Sequence, residues 1–156
     1  MTQKNKHIFV FGIFAVDLSF YVDKKVKPGE TIIAKSSNIG PGGKASNQAI
    51  SARKLGASTT LITRLGNDNF SRYANNIWRR EKLFSSTTID KNLPTGMAGI
   101  FIDDKTGENS VIVDPGASAH LSIDDFYLQK SKMKKGDIFL TQFEQSSDTT
   151  FAVLKE

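Results

Sequence analysis

The sequence predicts an α/β protein, because stretches typical of buried parallel strands alternate with stretches typical of amphipathic helices. Near-continuous apolar runs occupy residues 7–14, 58–65 and 137–142, and such runs are typical of strands that are covered on both faces. Stretches with helical periodicity lie between and after these runs. The 156 residues therefore predict one domain built on a parallel sheet of three strands with helices around it.

Three helices are predicted from the spacing of apolar residues and from their end signals. The first runs from Gly43 to Leu55, and its apolar face is predicted to carry Ala45, Ala49, Ala52 and Leu55. The second covers about residues 69–83 and carries one apolar stripe. The third lies near residues 122–129 and opens with Ser122 and Asp125 in the spacing of a capping box.

Two segments, residues 18–37 and 97–113, interrupt this alternation and predict hairpins of short strands. Both alternate apolar and polar residues, the pattern of a sheet with one face in water. We therefore expect a small antiparallel sheet beside the parallel core. A sheet next to a ligand-binding loop would serve as a lid.

The end of the chain predicts that the parallel core is incomplete. A last helical pattern starts at Ser146 or Ser147 and stops at Glu156, with Phe151 and Leu154 newly placed on an apolar stripe. A parallel sheet of three strands would also leave an exposed apolar edge. The expectation is that a longer protein, or a partner, supplies the remaining half.

The composition is that of an ordinary globular protein, with 38% hydrophobic and 24% charged residues. No apolar run approaches the roughly 18 residues that a membrane-spanning helix needs. The chain has no cysteine, which excludes disulfides and thiolate metal sites and suits a cytoplasmic protein. His7 and His120 have no spacing typical of a metal site.

The net charge of +5 raises the question of a nucleic-acid partner. The basic residues are dispersed in small groups near predicted helix ends and turns, without interleaved aromatic residues that could stack on bases. This distribution favours a solvated surface and predicts no nucleic-acid partner.

The stretch "IGPGGKASNQAI", residues 39–50, predicts a ligand-binding loop at a helix N-terminus. Gly40, Gly42 and Gly43 allow the main chain to approach a ligand closely. The unpaired N–H groups and the positive end of the helix dipole favour an oxygen-rich or anionic guest.

Two common glycine motifs fit this loop poorly. A P-loop would need a Ser or Thr at Ala45 and a Gly at Asn38. The string "GPGGKA" has the spacing of a dinucleotide fingerprint, but the preceding "IIAKSSNI" is half polar for a buried strand. Arg64 stands about 20 positions further on, where that fingerprint needs an acid.

A third interpretation rests on a series of motifs along the whole chain. The motifs are "GIFAVDL" at 12–18, "KPGET" at 27–31, "GPGGKASNQAISARKLGA" at 40–57, "LITRLGNDNFS" at 61–71, "TGMAGIFID" at 95–103 and "LTQFE" at 140–144. The combination of "GGK", "NQA", "LGA" and a downstream "GxD" is far more specific than any one glycine pattern. In order and spacing, the series resembles the N-terminal half of ribokinase-like (PfkB-type) sugar kinases.

The resemblance implies a sugar-binding role for six residues. Asp17, which we expect just beyond the tip of the first strand, would orient the sugar by accepting two of its hydroxyls. Lys44 and Asn47 would contribute a cation and an amide from one side of the helix. Glu144 matches the family's sugar-contacting acid. Gly42 and Gly43 complete the predicted pocket.

The chain departs from the ribose-specific members at Ala15. Those members carry a "SINAD"-like string, which places an Asn at this position. Alanine cannot make the hydrogen bond of that Asn, and an unpaired buried hydroxyl costs about 1–3 kcal/mol. The expected substrate is therefore a deoxy sugar, or another small polyol or nucleoside, rather than ribose.

The resemblance also implies ATP and Mg²⁺, whose main binding residues lie in the C-terminal half of family members, with the catalytic Asp of a "GAGD" string. This sequence contains no such string. The expected function is ATP-dependent phosphorylation of a sugar hydroxyl, with this chain carrying only the sugar-binding half. The alternative is a non-catalytic sugar-binding module, or a module that forms a homodimer through the lid sheet.

Overall fold

The computed structural model describes residues 6–156, in which eight strands form two four-stranded sheets. Helices cover both faces of the first sheet. In chain order the elements are β1 (His7–Phe11), β2 (Ala15–Val22), β3 (Ser36–Gly42), α1 (Lys44–Lys54), β4 (Ser58–Gly66), α2 (Asn69–Arg80), β5 (Phe84–Asp90), β6 (Thr95–Asp103), β7 (Asn109–Gly116), a 3-10 turn (Ala117–His120), α3 (Ile123–Lys130), β8 (Ile138–Thr141) and α4 (Ser147–Leu154).

The first sheet has the strand order β5-β4-β1-β8, and all neighbouring strands are parallel. The predicted α/β class with a parallel core is confirmed. The prediction of three strands was wrong, because β5 forms a fourth. Its sequence "FSSTTID" is largely polar, which an edge strand tolerates and which hides it from a search for apolar runs.

The second sheet has the order β3-β2-β6-β7. Its two outer pairs are antiparallel, as predicted, but the central pair β2 and β6 is parallel. The small sheet is therefore mixed rather than antiparallel. The reason is topological: β2 follows β1 and β6 follows β5 at the same edge of the core, so the chain enters this sheet in the same direction both times.

The two predicted lid segments are only partly correct in their bounds. The first hairpin begins earlier and ends later than the predicted residues 18–37, because β2 starts at Ala15 and β3 extends to Gly42. The second hairpin, predicted at residues 97–113, extends by a few residues at both ends. Asp103 closes its turn by accepting hydrogen bonds from the main-chain nitrogens of Lys105 and Thr106.

The parallel sheet separates two apolar clusters, since successive residues of a strand face opposite sides. Val10 and Leu61 pack with Trp78 and other residues of α1 and α2 on one face. Phe9 and Phe11 pack with residues of α3 and α4 on the other. The three predicted helices are present within one to three residues of their expected ends. Within residues 6–156, no helix is both long and apolar enough to cross a membrane.

Candidate functional site

The six residues implied by the resemblance lie on segments that meet where the two sheets join. Five of them are brought together by the contacts described below, and Asn47 follows one turn later in the same helix. The six residues are Asp17 in β2, Gly42 at the end of β3, Gly43 before α1, Lys44 and Asn47 in α1, and Glu144 after β8.

The position of Asp17 differs from the expected one. The first strand ends at Phe11, and Asp17 is the third residue of β2. It pairs with Gly40 on one side and Ala98 on the other. The chain enters the small sheet β3-β2-β6-β7 at Ala15. Asp17 therefore belongs to this sheet, which we call the lid sheet after its predicted role, and not to the tip of the core strand.

Gly42 is required by the close approach of the Asp17 side chain. It pairs with Ala15 in the antiparallel register of β2 and β3. A Cβ atom on Gly42 would lie 2.5 Å from Asp17 Cγ, far inside van der Waals contact. The glycine therefore leaves room for the carboxylate at the end of the lid strand.

Gly43 makes the turn from β3 into α1. Its φ of 81° lies in the left-handed region, which favours glycine. A Cβ atom there would lie 2.5 Å from the carbonyl oxygen of Ile13. The helix can therefore begin directly against the connection between β1 and β2.

Glu144 binds the first residue of α1. Its Oε2 accepts a hydrogen bond of 2.7 Å from the main-chain nitrogen of Lys44, and its Oε1 accepts one of 2.5 Å from Lys44 Nζ. The carboxylate thus satisfies an otherwise unpaired N–H group of the helix N-terminus and interacts favourably with the helix dipole. The Lys44 side chain is mostly exposed, whereas that of Glu144 is largely covered.

Asp17 and Glu144 influence each other electrostatically. Partial burial and, secondarily, the negative charge of Glu144 raise the pKa of the Asp17 carboxyl above its ordinary value. Asp17 lies against Gly42, and Glu144 binds Lys44 two residues further on, so the two carboxylates lie on neighbouring segments with Lys44 as the cation bound to one of them. Such a pair can accept several hydrogen bonds from a polyhydroxylated ligand.

Asn47 lies three residues after Lys44 on α1 and is exposed to solvent. Within residues 6–156 its side-chain amide makes no hydrogen bond; its main-chain nitrogen donates to the carbonyl of Gly43. An exposed amide can both donate to and accept from a ligand. Its sugar-binding role stays a prediction.

Two glutamines that the sequence analysis did not single out hold the segment that carries Glu144. Gln145 is buried, and its Nε2 donates to Thr141 Oγ1 at 2.9 Å and to Thr150 Oγ1 at 2.7 Å. Gln142 donates from its Nε2 to Gln48 Oε1 in α1. These bonds join the end of β8 to both neighbouring helices. Only the clustering of glutamines around Glu144 in "LTQFEQSS" could have indicated them.

The sequence comparison decides the family. Residues 5–151 match the pfkB family carbohydrate kinase model. The chain belongs to the pfkB family of carbohydrate kinases. Ribokinase from Dictyostelium discoideum is 35% identical over 150 residues, which cover 96% of this chain and 47% of that protein. Deoxyribokinase from Salmonella typhi is 32% identical over 151 residues, which cover 95% and 48% respectively.

Solved structures of ribokinases share the fold of this pfkB chain. The ribokinase from Giardia lamblia superposes with a TM-score of 0.88 at 27% identity and covers 96% of this chain. The ribokinase from Thermotoga maritima gives a TM-score of 0.84 at 35% identity. The chain covers 49% of each of these two structures. It therefore spans about half the length of the pfkB relatives that it matches and corresponds to their N-terminal half.

Proposed function

We propose that this chain is the sugar-holding half of an ATP-dependent carbohydrate kinase that phosphorylates a sugar hydroxyl. The observation that carries the proposal is the convergence of Asp17, Gly42, Lys44 and Glu144 where the two sheets join. Asp17 accepts two hydroxyls of the sugar, Glu144 accepts a third, and Asn47 adds an amide from α1. The lid sheet carries Asp17, so sugar binding and the position of the lid depend on one another.

The charges of the site favour a neutral sugar over one that is already phosphorylated. Asp17 and Glu144 contribute two negative charges, and Lys44 is bound to Glu144 at 2.5 Å. A phosphate placed beside the Asp17 carboxylate would meet like charge at low solvent exposure. Hydroxyl groups, in contrast, donate hydrogen bonds that ionised carboxylates accept well.

Ala15 favours a substrate that lacks one hydroxyl. It is buried at the point where β2 pairs with Gly42 of β3, two residues before Asp17. A methyl group there cannot accept or donate a hydrogen bond, so a hydroxyl facing it would remain unpaired. We therefore propose a deoxypentose or a nucleoside ahead of ribose.

ATP and Mg²⁺ are implied by the family, and the described residues do not fit the metal. Within residues 6–156, no group of three His, Cys, Asp or Glu side chains is placed to hold a metal ion. We therefore propose that the residues that bind ATP and Mg²⁺ belong to the other half of the kinase. This half alone should bind sugar without transferring phosphate. The absence of cysteine supports a cytoplasmic location.

Isothermal titration calorimetry of the chain with ribose, 2-deoxyribose and nucleosides tests the proposal. We expect at least one of these sugars to bind, and Asp17→Asn to weaken binding by about tenfold or more, because hydrogen bonds to a charged group are lost. Asp124→Asn, an exposed change on α3, is the control and should not alter affinity. The proposal fails if no sugar binds, or if Asp17→Asn binds as tightly as the wild type.

A second candidate function, a module that forms homodimers through the lid sheet, is favoured by one observation. Residues Val111–Val113 of the outer strand β7 are all exposed, and Ile112 has 70% of its surface in solvent. An apolar edge strand of this kind is a ready surface for a second copy. Sedimentation velocity should show a dimer that Ile112→Lys dissociates, with Lys105→Gln at the hairpin turn as control. A monomeric wild-type chain would remove this candidate.

A further inference from the structure

A cavity of about 570 Å³ opens at the amino-terminal edge of the parallel sheet. It is lined by residues at the starts of the strands, among them His7 of β1, Thr60 of β4 and Phe84 of β5. A second cavity of about 360 Å³ shares these three residues. Because the strands are parallel, this edge lies opposite the one that carries Glu144. We call the two adjoining spaces the amino-edge cavity.

The amino-edge cavity has an excess of positive charge. Lys6, Lys132, Lys134 and Lys135 line its larger part, and Arg53 and Lys82 line the smaller part, with Asp137 as the acid among these lining residues. In the described chain, none of the Nζ atoms of the lysines at 132, 134 and 135 lies within 4.0 Å of a carboxylate. Like charges so close together attract an anion.

Asp137 offsets one of these positive charges, but its carboxylate pairs with main-chain nitrogens rather than with a lysine Nζ. It accepts hydrogen bonds from the main-chain nitrogens of Lys134 at 2.8 Å and of His7 at 3.1 Å. These bonds lower the pKa of Asp137 and attach the 132–137 loop to the start of β1. The loop therefore presents its lysines from a fixed position.

One wall of the cavity is aromatic. Phe84 is 58% exposed, although it is the first residue of β5, and Lys132 Nζ lies 5.8 Å from the centroid of its ring. The His7 ring also lines the cavity and is held by contacts of 2.8 Å to Ser58 Oγ and to Thr60 Oγ1. An exposed aromatic ring next to cations offers a stacking surface for a flat ligand ring.

We propose that the amino-edge cavity binds a phosphorylated small molecule with a flat ring, namely a nucleoside diphosphate or triphosphate. The phosphates contact Lys132, Lys134 and Lys135, and the base lies against Phe84. The volume is within the range of roughly 300–1,000 Å³ that is usual for small-molecule sites. A nucleotide bound here is on the far side of the sheet from Asp17 and cannot donate phosphate to a sugar there. The inference is therefore independent of the proposed kinase function.

The two histidines of the chain give a direct test by proton NMR. His7 lies in the amino-edge cavity, whereas His120 ends the 3-10 turn that follows β7. Titration of residues 1–156 with ADP should shift the ring resonances of His7 in a saturable way and leave those of His120 unchanged. Shifts at His120 without shifts at His7, or no saturable shift at either, would overturn the proposal.

Paired variants test the contacts. Lys134→Gln with Lys135→Gln should raise the Kd for ADP about tenfold, because two charge-assisted contacts are lost. Lys105→Gln with Lys155→Gln removes the same charge elsewhere and should leave the Kd within about twofold. An equal loss in both pairs would mean that net charge alone attracts ADP, which contradicts a built site.

The ring is tested by Phe84→Leu, a change at an exposed position that keeps an apolar side chain. This variant should weaken ADP binding about fivefold to tenfold, in line with the loss of one stacking contact, and leave pyrophosphate binding unchanged. Circular dichroism verifies that the variant is folded. The assignment to a nucleotide is wrong if ADP and pyrophosphate bind equally and respond equally to Phe84→Leu, or if a single-stranded RNA displaces ADP at equal phosphate concentration.

Discussion

The carboxylate of Asp17 occupies the space that a side chain on Gly42 would need, since a Cβ atom on Gly42 would lie 2.1 Å from Asp17 Oδ1. Gly42→Ala should therefore displace Asp17 and lower the free energy of unfolding by about 1–3 kcal/mol. It should also abolish sugar binding in calorimetry. Urea denaturation measures the first effect.

Gly40→Ala is the matched control for this change, because it lies two residues earlier in the same strand. Its Cβ atom would have its nearest neighbour, Asn38 Nδ2, at 3.8 Å, an ordinary contact. We expect a change of no more than about 0.5 kcal/mol. Equal destabilisation in both variants would mean that strand β3 tolerates no side chain and that the Asp17 contact is not the cause.

Glu144→Gln should lower the pKa of Asp17 toward its ordinary value of 3.8, because Glu144 is one of the two causes that raise it. The shift should be partial, since burial, the larger cause, remains. Carboxyl carbon NMR during a pH titration measures it. Glu81→Gln, which removes a carboxylate paired with Lys54 on α1, is the control, and an identical Asp17 titration in wild type and Glu144→Gln would contradict the coupling.

The raised pKa of Asp17 also predicts a pH dependence of stability. Between 3.8 and the higher folded-state pKa, the native state binds more protons than the unfolded chain, so stability falls as the pH rises through this interval. Asp17→Asn removes this titration and should therefore be more stable than the wild type at pH 7. The difference should disappear below about pH 3.8; a difference that is the same at all pH values would refute the assignment.

Asp68 connects α2 to the lid sheet, and its loss should destabilise both. Its Oδ1 accepts hydrogen bonds of 2.8 Å from Ser71 N, which caps α2, and from Thr95 Oγ1. Its Oδ2 accepts one of 2.7 Å from Thr95 N, at the start of β6. Asp68→Ala should cost about 2–4 kcal/mol in urea denaturation.

The control for Asp68→Ala is Asp148→Ala, in the first turn of α4. Among residues 6–156, its carboxylate makes no hydrogen bond or ion pair, so we expect only the loss of its interaction with the helix dipole, about 0.5 kcal/mol. Hydrogen exchange adds a second measurement, because the amide of Thr95 should exchange faster in Asp68→Ala. If Thr95 stays as protected as in the wild type, Asp68 caps α2 without holding the lid.

The sequence predicted the elements whose signals are local. The first helix was correct because Gly43 and the small residues after it mark its start, and the third because Ser122 and Asp125 form the capping box that their spacing indicated. Leu55 shows the limit of such patterns: it was placed on the apolar face of α1 but is 88% exposed at the C-cap. One residue beyond a helix the direction of a side chain is no longer set by helical periodicity.

The candidate site was harder to predict, because its residues come from distant parts of the chain. The six residues were found through resemblance, and no local pattern places Asp17 in the lid sheet. Its position depends on the pairing of β2 with both β3 and β6. The glutamines around Glu144 escaped notice because their partners, such as Gln48 in α1, become neighbours only after β8 pairs with β1.

The contact between Lys44 and Glu144 joins residues that are 100 positions apart. A contact of such long range closes most of the chain into a loop, and we expect it to form late in folding. A ligand that must contact both residues can bind only to protein chains in which β8 has already paired with β1. Added sugar should consequently slow the unfolding rate and leave the refolding rate almost unchanged.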